Sequence, residues 1–169
     1  MSEFPFTGLV ILPSDEVLKS GFFLCVLHAD KIPPHVGCII AGQFYSLKVS
    51  GKDESVDVST LLKAITLKKV PTLFVGIKKE IPSALVEHIY ENYTSVVVGQ
   101  NTCLSPVIDL FECQGRVKKL SDLLRLLQEE SLLKEVFKLH LKEDYDALPY
   151  YSSQDIEQRL LNLTDVKRR

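Results

Sequence analysis

The stretch "GFFLCVLHADKIPPHVGCIIAGQFYSLKVSG", residues 21–51, decides the fold. Its opening run, "SGFFLCVLHA" over residues 20–29, is continuously apolar between Gly21 and Asp30 and short enough for a buried strand. "HVGCIIA" follows as a second strand and "FYSLKVSG" as a third. Gly42 suits the first central position of a type II′ turn, which predicts a two-residue turn at Gly42-Gln43. That register sets Ser50 opposite His35 and keeps Ser46 and Lys48 on the face of His35.

Outward from this core, "DVSTLLKAITLKK" carries Leu61, Leu62 and Ile65 near helical spacing, with Ser59 available as N-cap. "KVPTLFVGIKK" returns to a strand whose first part Pro71 turns into an edge or a bend. "PSALVEHIYENY" puts Leu85, Val86, Ile89 and Tyr90 on one helical stripe, and "TSVVVGQ" reads as a short strand. In "NTCLSPVIDLFECQG", Pro106 restricts the helix start to the interval between Cys103 and Pro106, and Gly115 fits its end. A leucine-rich helix is predicted from Ser121 to about Leu141, then a last helix over "SSQDIEQRLLNL" before the basic tail "VKRR". The predicted class is α+β: an antiparallel sheet with packed helices over residues 1–117, and a helical extension over 118–169 packed on it.

The whole-chain totals restrict the function. With 169 residues, 46% of them apolar, the chain can bury a sizeable core. A formal net charge of −2 gives no basic field for nucleic acid, and no apolar run approaches the ~20 residues of a membrane helix. "MSEFPFTGLVILPSDEV" lacks the basic start and unbroken apolar core of a signal peptide, so a cytoplasmic location is expected. Four sparse cysteines without a C-x-x-C pair are read as free thiols.

Two residues answer a search for a nucleophile and a base: His35 at a strand start and Cys103 at a helix start. A helix N-terminus and a nearby imidazolium both favour a thiolate, and free backbone N–H groups at the helix start can bind a developing oxyanion. Together these would make an acyl-transfer site.

At these residues the chain resembles a family. "PPHVGCIIAGQFYSL", preceded by a strand, is similar to the "HVGIYIG" hairpin of papain-like NlpC-type hydrolases, whose histidine opens the hairpin strand. There the cysteine usually precedes the histidine. Here Cys103 follows it, as in the circularly permuted branch that includes the lecithin:retinol acyltransferase-like proteins and bacterial permuted papain-like amidases. "QNTCLSPVIDLF" is similar to that branch's helix-opening cysteine segment, and the resemblance covers about residues 20–113.

The resemblance implies a circularly permuted papain-like fold with Cys103 as nucleophile and His35 as base. It also implies a small-molecule, peptide or lipid acyl substrate bearing an amide, ester or thioester, and no cofactor. Relatives place a polar residue about twelve positions beyond the histidine, a count that lands on Leu47 between Ser46 and Lys48. Lysine can only donate a hydrogen bond, so Ser46 is the candidate third group.

Other readings stand beside this one. Cys25, Cys38 and Cys113 suit packing, His28 a strand end, and His88 and His140 solvent-facing helix positions. No Cys/His quartet has zinc-ligand spacing, so no metal is expected. The alternative function is a catalytically inactive papain-like binding module, with the leucine-rich face at 120–141 open to a protein partner or a second copy.

Overall fold

Residues 22–27, FFLCVL, form the strand around which the sheet is laid, because both of its faces meet apolar neighbours. The computed structural model describes residues 4–168, with side chains described through 165. In chain order the elements are β1 (Phe4–Pro5), β2 (Val10–Ile11), a 3₁₀ turn (Asp15–Lys19), β3 (Phe22–Leu27), β4 (His35–Ile40), β5 (Gln43–Lys48), β6 (Gly51–Asp57) and α1 (Val58–Lys68). Then come β7 (Thr72–Ile77), α2 (Ser83–Glu91), α3 (Ser105–Leu110), α4 (Leu120–Glu129), β8 (Leu133–Leu139), β9 (Ala147–Leu148) and α5 (Ser153–Arg168).

Seven strands form one mixed sheet in the order β2-β8-β7-β3-β4-β5-β6, antiparallel throughout except for the parallel β2–β8 edge. The fold is α+β. On one face Leu24, Val26, Val36, Cys38, Leu73 and Val75 pack with residues of α2, α3 and α4. On the other Phe23, Cys25, Ile39, Phe44 and Phe74 pack with α1 and Leu18 of the 3₁₀ turn. Alternate residues of each central strand thus enter different cores, which is why these strands read as unbroken apolar runs. No helix among the described residues is long and apolar enough to cross a membrane.

Three of the expected elements take a different form. The β4–β5 turn is Ala41-Gly42, both at positive φ (49° and 77°), which is the type I′ pattern. Gly37 then pairs with Ser46, and the same register carried two residues further brings Lys48, not Ser50, opposite His35. A two-residue slip preserves side-chain facing, so Ser46 and Lys48 still share the face of His35. "TSVVVGQ" is not a strand. It makes one bridging bond, Val96 N–H to Lys48 C=O at 2.8 Å, and crosses the open end of β5.

The third difference is larger. The helix expected over 121–141 is instead α4, a tight turn and β8. The Leu132 N–H bonds the Leu127 carbonyl and the Ser131 N–H bonds the Gln128 carbonyl, with Ser131 at φ 58°, a Schellman stop built on serine. The reason is tertiary: β7 is buried along its whole length and needs a hydrogen-bonded neighbour on its free side, which β8 supplies. Residues 118–169 therefore contribute a strand to the sheet as well as helices. Leu120, Leu123, Leu124 and Leu127 are buried against that sheet, so the apolar face expected to meet a partner is interior. The side chains of the "VKRR" tail lie outside the described residues.

Candidate active site

The β4–β5 hairpin opens at its mouth, where the ladder ends at Gly37–Ser46. Into this opening the segment before α3 inserts Cys103: the Val36 N–H donates to its Sγ at 3.5 Å. The Cα of His35 sits one peptide unit away, about 2.4 Å from that nitrogen by standard bond lengths, so the sulfur lies within about 6 Å of it. Cys103 and His35 both line one cavity of about 590 Å³. Sequence positions 68 apart thus meet at one site.

The two side chains form no hydrogen-bonded pair among the described residues. Val36 belongs to the core face on which Cys103 packs, whereas alternation sends His35 toward the opposite face with Gly37 and Ile39. The buried Nε2 of His35 has no hydrogen-bond partner among the described residues. Burial outweighs every other influence on this imidazole and pushes its pKa down to about 4, with Asp53 opposing the shift and Lys48 and His28 reinforcing it. Burial likewise raises the Cys103 thiol, against smaller opposing contributions from the N–H groups of Val36 and of Cys103 itself. Both groups are neutral at pH 7, which reverses the thiolate expected from a helix N-terminus. The reason is that Cys103 precedes the cap residue Leu104, outside the helix, in a desolvated pocket.

The oxyanion donors expected at this helix start are also committed. The Leu104 N–H bonds Thr102 Oγ1 at 3.2 Å, and the Ser105 N–H bonds the Thr102 carbonyl at 3.1 Å. The Thr102 N–H in turn donates to Ser105 Oγ at 2.9 Å, a reciprocal cap that fixes the turn carrying Cys103. The amides left near the sulfur are those of Val36 and Cys103.

Ser46 lies where the sequence places it, fully buried on the His35 face, but its Oγ donates to Asp53 Oδ2 at 2.7 Å. Asp53 Oδ1 pairs with Lys48 Nζ at 3.1 Å. The nearby carboxylate is therefore Asp53 on β6, a residue the sequence reading did not single out. A bulge puts it there: Phe44 pairs with Val56 but Ser46 with Asp53, and Ser55 takes a positive φ of 50°. Without that extra residue Glu54 would face Ser46, because a one-residue shift exchanges the two faces of a strand. The only sequence signal was weak, a polar segment directly after a hairpin turn, as edge strands often are.

The other thiols are structural. Cys25 and Cys38 are wholly buried, and burial drives the Cys38 thiol up to about 12. No cluster of three or more His, Cys, Asp or Glu side chains among the described residues could hold a metal ion.

A raised thiol makes a kinetic prediction. Iodoacetamide should alkylate resting Cys103 more slowly at pH 7 than it alkylates an unfolded peptide thiol, with the rate still climbing above pH 9. Peptide mapping of the alkylated protein checks this, and a rate already at its plateau at pH 7 contradicts the neutral resting site. No protein-family model, curated protein or solved structure matches the chain.

Proposed function

We propose that the protein is a thiol hydrolase or acyltransferase of circularly permuted papain-like type, acting on an amide, ester or thioester. The observation that carries this reading is the convergence of Cys103 Sγ, the Val36 N–H and His35 on one cavity. In the proposed cycle an entering carbonyl brings the imidazole round to the thiol. His35 takes the Sγ proton as sulfur attacks, and the tetrahedral intermediate collapses when His35 protonates the leaving group. Water or an acceptor hydroxyl or amine, deprotonated by His35, then attacks the thioester and restores the thiol. Asp53, held by Ser46 and Lys48, offsets the positive charge on His35 during these steps. Apo geometries of such pairs are commonly loose and tighten with substrate.

Incubation with p-nitrophenyl dodecanoate tests the cycle by intact mass and nitrophenolate release. The expected result is an acyl adduct on Cys103 that is absent in Cys103→Ala and forms at least ~100-fold more slowly in His35→Ala. Equal acylation rates in the wild type and His35→Ala would remove the catalytic reading. In its place would stand a binding module, which the unbonded Nε2 and the neutral thiol favour.

A further inference from the structure

We propose that the cavity beside Cys103 binds a single-chain amphiphile, an apolar tail ending in one anionic carboxylate. The proposal concerns the occupant of the cavity and stands whether or not Cys103 turns over.

The lining divides by chemistry. Val96, Leu104, Leu120, Ile156, Leu160 and Leu163 supply an apolar wall, the last three from α5. A volume of about 590 Å³ falls within the ~300–1,000 Å³ typical of small-molecule sites. The charged lining residues are all cationic: Lys31, Lys48, Lys118, Lys119 and Arg159, with no aspartate or glutamate among them. Two of these are engaged, Lys48 with Asp53 and Lys119 with the Tyr151 carbonyl and the Tyr150 ring. Lys31 and Arg159 are exposed at the rim and act electrostatically on His28.

A second observation points to the same ligand. His28 Nδ1 and His35 Nε2 are both buried without a hydrogen-bond partner, and both residues line this cavity. An unpaired buried polar atom is costly, and a ligand whose polar end draws these two imidazoles toward the cavity removes that cost. Lys31, Asp30 and Arg159 act on His28, and Asp53, Lys48 and His28 act on His35; of these charged groups only the cations Lys31, Lys48 and Arg159 line the cavity's polar region. A carboxylate satisfies it: it accepts from an imidazole N–H and pairs with lysine or arginine, while the tail covers the leucines and valine. A neutral alcohol supplies no charge, and a cationic head meets five positive side chains.

Isothermal titration calorimetry with dodecanoate, below its micellar concentration, tests the assignment against dodecanol, dodecyltrimethylammonium and acetate. Dodecanoate should bind one-to-one, at least tenfold more tightly than each of the others, and should protect Cys103 from iodoacetamide. Reversing the two exposed rim cations in a Lys31→Glu/Arg159→Glu protein should weaken dodecanoate at least tenfold and leave dodecanol unchanged. Cys103→Ala should bind dodecanoate as the wild type does, which separates failure of binding from failure of catalysis. Equal affinity for charged and uncharged heads, absence of saturable binding, or retained affinity after charge reversal would each overturn the proposal.

Discussion

Between pH 7 and pH 4 the wild-type protein should lose about 3 kcal/mol of folding stability that a His35→Gln variant does not lose. His35 has a pKa of about 4 in the folded protein against an ordinary 6.5, lowered chiefly by burial. The unfolded chain therefore binds more protons than the native state between these values, and stability falls as pH falls. The contribution is complete above about pH 6.5 and is lost progressively down to about pH 4. Asp53 faces the imidazole and moderates the shift, whereas Lys48 and His28 strengthen it. Urea titrations of both proteins at pH 7, 5.5 and 4 measure the difference. Parallel loss in the two proteins would mean that His35 is solvated or paired in a way the site geometry does not show.

The second large effect is expected at Gly37. A β-carbon there would press into the backbone carbonyl of Tyr45 and approach Phe44 Cε2 at 2.7 Å and Ser46 Cβ at 2.9 Å. The carbonyl belongs to the hydrogen-bonded partner strand and cannot swing away as a flexible side-chain end would. Gly37→Ala should cost about 3 kcal/mol, the upper part of the usual range for overpacking. It should also move Ser46 away from its pairing position, so any activity should fall by more than stability alone explains. Gly76→Ala is the internal comparison, since its nearest contacts would be 3.0 Å and a small relaxation of β8 admits them. Chemical denaturation of both variants separates the two cases, and equal costs would refute the rigid-hairpin account.

What could be read in the sequence was set by short-range chemistry. The β3–β5 strands were legible because apolar runs separated by a glycine turn leave few alternatives, and Pro106 limited where α3 could start. Helix ends were harder. α1, α3 and α4 all stop with a left-handed residue that is not glycine: Lys69, Glu112 and Ser131 at φ 51°, 52° and 58°. Each stop is held by backbone hydrogen bonds to the preceding turn rather than by residue preference, so a search for glycine passes over all three. Gly115, read as a helix end, lies in the turn beyond α3. Leu133, Val136 and Phe137 fit a helical stripe as well as a strand, and only the demand of β7 for a neighbour decides between them.

At the site, residues 35 and 103 were paired by a search for a nucleophile and a base and by the family resemblance, and the structure brings both to one cavity. Their protonation was not legible, since desolvation depends on what packs around them. Asp53 was hidden for a further reason. Its facing is set by one extra residue in β6, a feature of pairing rather than of composition.

The outer edge of the sheet has a consequence for how the chain is made. Val10 pairs with Phe137 and Phe4 with Leu148, so both N-terminal strands wait for segments from the last quarter of the chain. During synthesis at roughly 5–20 residues per second, the first dozen residues emerge many seconds before their partners exist. The β3–β7 core can assemble meanwhile, but its edge at β7 stays uncovered until β8 leaves the ribosome. Vectorial synthesis therefore places the fastening of Phe4–Pro5 and Val10–Ile11 after the emergence of their partners at Ala147–Leu148 and Phe137–Lys138.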